Sequence, residues 1–107
     1  MISIDDFSKL ELRIAEVIAA EPHPNADKLL VLQIEVGGER RQIVAGIRLH
    51  YAPEELVGKH IVVVWNLEPA KLRGIESQGM LLAASDDQGR LSLVTPERPI
   101  DNGGRVK

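Results

Sequence analysis

An all-β barrel is the fold class this chain predicts, on three observations. Apolar runs rich in Val, Ile and Leu recur from Leu12 to Val94 at strand length. Turn residues punctuate them: Pro22-His-Pro-Asn25, Gly37-Gly38, Asp86-Asp-Gln-Gly89. Only one segment carries convincing helix signals at both ends.

Taken in order, Ile4–Leu10 reads as a short helical turn capped by Asp5 or Asp6. Leu12–Ala19 alternates apolar and polar residues through Val17, as a strand with one wet face does. Glu21–Asp27 is a connection, Leu29–Val36 a second strand, and Gly37-Gly38 closes a hairpin onto Arg40–Ala45. Pro53–Val57 has Pro near its start and Gly58 just past its end, the asymmetry of a helix. His60–Trp65 is an apolar run that reads as a buried strand, Gly79–Ser85 another, and Leu91–Val94 a further short one. The tail, Pro96–Lys107, ends on a possible edge pair, Arg105-Val106. Five or more strands with one short helix between the third and fourth is the plan of a five-stranded Greek-key barrel. The OB-fold is the best-known example and binds oligonucleotides on one face and its connecting loops.

At 107 residues the chain fits one domain, 1–107, with no repeat or linker, and can bury its own core. It has no Cys, so disulfide and thiolate chemistry are excluded. No apolar run approaches the roughly 20 residues that span a bilayer, and the acidic opening lacks a signal-peptide pattern, so the expectation is a cytoplasmic protein without membrane contact. Three histidines stand far apart without ligand spacing, and no carboxylate joins a His and a nucleophile, so neither a metal, a cofactor nor an enzyme is expected. The net charge of −3 excludes a broadly basic nucleic-acid binder but leaves room for a local cationic face.

Asn66–Met80, between two apolar runs, gathers the donors for such a face: Asn66, Lys71, Arg73, Ser77 and two glycines, with no general base. It suits gripping a polyanion. Lys71 and Arg73 lie two apart, so in an extended loop they point the same way. Arg40 and Arg41 oppose each other on a strand, and at most one joins the face; Arg41 is the candidate. With only Trp65, Tyr51 and Phe7 as aromatics, stacking platforms are scarce and shape reading is favoured over base reading.

Several motifs then recur in register. They are Asp5-Asp-Phe7 with Leu12-Arg13, Asn25-Ala-Asp-Lys-Leu29, Val44-Ala-Gly-Ile47, Pro53–Lys59, Asn66-Leu67 with Lys71-Leu-Arg-Gly74, and Ser77-Gln-Gly-Met80. The chain resembles the tRNA-binding domain appended to bacterial methionyl-tRNA synthetases, which also occurs as a free-standing protein. The resemblance implies an OB-fold and tRNA as the partner, bound selectively for structure and without catalysis. It also implies a homodimer joined through the N- and C-terminal extensions, and association with a synthetase catalytic region. Carried over by position, it implies tRNA contact at Lys28, Ser77 and Met80, with Asn66 and Asn25 in the same pattern. A sister branch, linked to secretion and chaperone-like peptide binding, shares the Ile-Asp-Asp-Phe opening but lacks Asn-Ala-Asp-Lys-Leu and Val-Ala-Gly-Ile, which this chain keeps. Peptide binding, or a purely dimerising module for a synthetase, are the rival functions.

Each position also has a plainer reading. Lys28 either pairs with Asp27 or meets phosphate. Asn66 either satisfies its own turn or reads a base edge or ribose. Ser77 either caps the adjacent Gly turn or donates to phosphate. Met80 either fills the core or packs on a flipped-out base. For Lys71 and Arg73, Glu68 and Glu76 are the competing partners.

Overall fold

The computed structural model describes all residues, 1–107. It is an all-β, curled antiparallel sheet of the OB type. The elements run α1 (Ile4–Ser8), β1 (Leu12–Pro22), β2 (Leu30–Val36), β3 (Glu39–Ala45), α2 (Pro53–Leu56), β4 (His60–Val64), β5 (Ala70–Leu72), β6 (Ile75–Ser77), β7 (Met80–Leu81), β8 (Ala83–Ser85), β9 (Leu91–Leu93) and β10 (Arg105–Val106). The main sheet has the order β3-β2-β1-β4-β7, with β10 on the edge of β1.

β1 is longer than its alternation predicted, because its two halves serve different partners. Residues Leu12 to Glu16 pair with β4, and Glu16 to Pro22 with β2; a register shift between Val17 and Ala19 marks the bend. Such a bulge lets one strand belong to both walls of a curled sheet.

The apolar run of β4 does not alternate because both of its faces are covered. Ile61 and Val63 join Ala15, Val17, Leu30, Leu32, Ile34, Ile43 and Trp65 in the main core. Val62 and Val64 face outward, where Leu12 and Ile14 join them beneath Phe7, Leu82 and Val106. The outer cluster is roofed by the two chain ends. At the C-terminal end the Gly103 amide donates to the Ile14 carbonyl (2.7 Å) and the Ile14 amide to Gly104 (2.8 Å). At the N-terminal end, α1 is capped by Ser3, whose Oγ accepts from the Asp6 amide at 3.1 Å. This corrects the expected Asp5 or Asp6 cap: both lie inside the first turn, where their charges complement the helix dipole.

The barrel closes without a ladder between β3 and the strands after it. The Gln78 amide donates to the Gln42 carbonyl (2.8 Å), the Gln42 amide to Gln78 Oε1 (3.0 Å), and the Val44 amide to Ser77 Oγ (2.9 Å). Side chains thus replace the missing strand partner. Gly79 fits here because its φ is 154°, and a Cβ would sit 3.0 Å from the Val64 carbonyl oxygen.

Ten strands are present where five or more were expected, and α1 occupies the expected helical turn at Ile4–Leu10. The Asn66–Met80 segment, expected to be a loop, instead carries the β5–β6 hairpin.

Candidate nucleic-acid interface

The β5–β6 hairpin turns on two residues, Arg73 (φ 54°) and Gly74 (φ 91°), both left-handed as a type I′ turn requires. Left-handed geometry at a residue with a Cβ costs on the order of 1–2 kcal/mol. Two hydrogen bonds offset that strain: Arg73 Nε and Nη2 both donate to the Asn25 carbonyl, at 3.3 and 3.1 Å. The hairpin tip is therefore tied to the β1–β2 loop.

A second tie lies beneath it. His23 is buried, 2% exposed, and uses both ring nitrogens. The Asn25 amide donates to Nδ1 at 2.9 Å, which makes Nδ1 an acceptor and puts the proton on Nε2. Nε2 then donates to the Leu72 carbonyl at 2.9 Å. One neutral imidazole joins the loop to the hairpin one residue before its turn. Histidine was discounted in the sequence for want of a metal-ligand spacing. Its signal was the Pro-His-Pro context, which holds the ring in a rigid connection.

Latching these segments brings Asn25, Lys28 and Arg73 together, with Lys71 on the same hairpin. Lys28 and Arg73 line one shallow depression of about 330 Å³ with Ala26, Asp27 and Leu29. Arg48 Nη1 donates to the Ala26 carbonyl (3.3 Å) and braces the loop from behind. Lys28 and Lys71 are exposed and form no ion pair, neither with Asp27 nor with Glu76, which sits opposite Lys71 across the hairpin. Arg73 does not point along with Lys71 as an extended loop would have it, because the turn redirects it onto Asn25.

Other expected contacts lie elsewhere. Ser77 is 5% exposed, accepts from the Val44 amide and donates to the Gly79 carbonyl at 2.9 Å. Its hydroxyl is engaged on both sides within the barrel closure, which matches the turn-capping alternative of the two expected for it and not donation to phosphate. Asn66 is engaged at both ends of its amide: Oδ1 accepts from the Glu11 amide (2.8 Å) and Nδ2 donates to the Lys9 carbonyl (2.7 Å). It straps the N-terminal extension to the barrel, which is neither of the roles expected of it. Met80 is 47% exposed, which removes the core reading. Its partner in register is Val64, so it faces the outer side of the sheet, and it is not among the residues of the Lys28 depression. Arg41 lies over the Trp65 ring, 3.5 Å from its centroid, and donates from Nη1 to the Trp65 carbonyl and from Nε to Glu39.

No helix is long and apolar enough to cross a membrane. The family described as "Putative tRNA binding domain" matches residues 12–105. The chain is 58% identical over 107 residues to a methionine–tRNA ligase of Deinococcus radiodurans and 63% identical over 105 residues to one of Thermotoga maritima. These alignments cover 100% and 98% of this chain but 16% of each ligase, so the chain spans a small part of the curated relatives it matches. Among solved structures, the MetRS related protein from Pyrococcus horikoshii superimposes with a TM-score of 0.93 at 37% identity, covering 100% of this chain and 98% of that one. The chaperone CsaA from Bacillus anthracis gives 0.89 at 32%, covering 100% and 99%. On the family match across residues 12–105, this chain belongs to the tRNA-binding domain family.

Proposed function

We propose that this chain binds tRNA without catalysis, reading its shape and backbone through the latched loop and hairpin. The observation that supports this reading is the pair of ties, His23 to Leu72 and Arg73 to Asn25, which hold Lys28 and Arg73 at one depression, with Lys71 on the same hairpin, in an otherwise acidic molecule. Local cations on a rigid scaffold attract phosphate by releasing its condensed counterions, and need no net positive charge. The ligase relatives support a place beside a methionyl-tRNA synthetase catalytic region in the cytoplasm, where the module raises the local concentration of tRNA.

The module works as a homodimer through its chain ends. Met1, Ile2, Ile4 and Leu10 at one end and Ile100 at the other are exposed large apolar residues. They belong to the same two chain ends whose Phe7 and Val106 pack on the outer cluster of β1 and β4. Two linked copies gain avidity for one folded RNA without new contacts.

Peptide binding is the second reading, favoured by the likeness to CsaA and by exposed Leu67, Leu72 and Met80. A filter-binding assay with tRNA, duplex RNA and single-stranded RNA, each challenged with a denatured polypeptide, separates the two. Tightest retention of tRNA, undisturbed by polypeptide, is expected; displacement of tRNA by polypeptide at stoichiometric levels would favour the peptide reading.

A further inference from the structure

At the base of the β5–β6 hairpin lies a second concavity, of about 470 Å³. Glu39 and Arg41 of β3, Trp65, the Asn66–Pro69 turn and Gln78 line it. Its wall includes a planar cation held in place. Arg41 is stacked 3.5 Å from the Trp65 ring centroid, with Nε on Glu39 Oε2 at 2.9 Å and Nη1 on the Trp65 carbonyl at 2.6 Å. One face of the guanidinium is spent on the indole, a quarter of the Arg41 side chain stays exposed, and Arg41 is among the residues that line the groove.

The charge balance argues against phosphate here. Glu39 neutralises Arg41, and Glu68 on the rim forms no ion pair, which leaves the groove with an excess negative charge. Flat, neutral ligands are what a fixed guanidinium plane accepts, and unpaired bases stack on such planes. The rim then offers complementary groups to a base edge. The Glu68 carboxylate is an acceptor. Gln78 has committed its Oε1 to the Gln42 amide, leaving Nε2 as an unspent donor.

We infer that this groove receives one unpaired nucleobase of the bound RNA, stacked on Arg41, with its edge facing Glu68 and Gln78. The inference rests on the RNA-binding reading above and adds a base contact to it. The three-residue arms of the hairpin place groove and tip about 10 Å apart, within reach of one strand whose phosphates meet Lys71 and Arg73. The scarcity of aromatics is thereby reinterpreted: one indole, capped by a guanidinium, serves as the platform.

Arg41→Lys keeps the charge and loses the plane. In fluorescence anisotropy, the variant should bind tRNA and a single-stranded oligonucleotide about tenfold or more weakly, matching a lost stacking contact. Its salt dependence and its affinity for a blunt RNA duplex should match the wild type. Unchanged affinity for tRNA and for the oligonucleotide overturns the inference. So does a salt slope reduced as by loss of a phosphate contact, or loss of polypeptide binding in place of RNA binding. Trp65 is the only tryptophan, and its emission in the wild type should respond to the oligonucleotide and not to the duplex. Glu68→Gln, at an exposed side chain without partners, covers the case where Arg41→Lys fails to fold: the ranking of short homopolymers should change, and an unaltered ranking counts against the base contact. A wild-type protein that binds no tRNA at all would instead defeat the parent reading, a distinguishable result.

Discussion

Replacing His23 with Ala is the sharpest perturbation of the latch. The ring is 2% exposed and carries two hydrogen bonds of 2.9 Å, from the Asn25 amide and to the Leu72 carbonyl. Asn25 and Leu72 are themselves exposed, so water takes over part of what the ring supplied, and at about 0.5–1.5 kcal/mol per lost hydrogen bond the pair should cost about 1–3 kcal/mol. Against a total stability of about 5–15 kcal/mol, that is large, and the hairpin tip relieves part of it by lifting away. Thermal unfolding followed by circular dichroism should show a midpoint lower by roughly 4 °C or more. At a temperature where the variant remains folded, tRNA affinity should also fall, because Lys28 and Arg73 no longer share a surface. His23→Asn is the calibrating variant. Its Oδ1 lies near the position of Nδ1 and keeps the Asn25 bond, while its amide falls short of Leu72, so it should recover part of both losses. A midpoint within a degree or two of wild type would refute the energetic argument. A stability loss with tRNA affinity intact would refute the claim that the latch assembles the site.

Ser77→Ala should lower stability by about 1–3 kcal/mol by orphaning the Val44 amide, while leaving tRNA affinity unchanged in the folded protein. A fully folded variant that binds tRNA weakly would return Ser77 to the interface. Asn66→Ala should cost about 1–3 kcal/mol through two lost bonds to Lys9 and Glu11, and should speed amide exchange across α1. Sedimentation of that variant should show a weaker dimer; unchanged exchange and association would mean the strap is dispensable.

The barrel was legible because turn residues and strand-length apolar runs agree, and β1, β2, β3, α2 and β4 fall where those signals place them to within a few residues. The covered outer face of β4 was written in its unbroken Ile-Val-Val-Val run, although what covers it was not. The β5–β6 hairpin was hidden by arms of only three residues, one holding a Lys and the other a Glu, and by an Arg-Gly turn in place of Asn-Gly. For the site, Lys28 and Lys71 were recognisable as candidate cations, but the sequence offered Asp27, Glu68 and Glu76 as partners that only the folded geometry sets aside. The roles of Ser77, Asn66 and His23 were not, since each depends on a partner between 33 and 57 residues away, brought close only by folding.

The central claim is that three cations on one flank grip the tRNA backbone. Each neutralised phosphate contributes about 0.7–0.9 to the slope of log affinity against log salt, so Lys28, Lys71 and Arg73 together imply a slope of about 2–3 per copy. Affinity should therefore drop about 20- to 40-fold between roughly 50 and 200 mM salt. Measuring that slope for the wild type, Lys28→Ala and Lys71→Ala is the most direct test. The account predicts that each substitution weakens binding and lowers the slope by about one phosphate's share; slopes identical in all three proteins would contradict it.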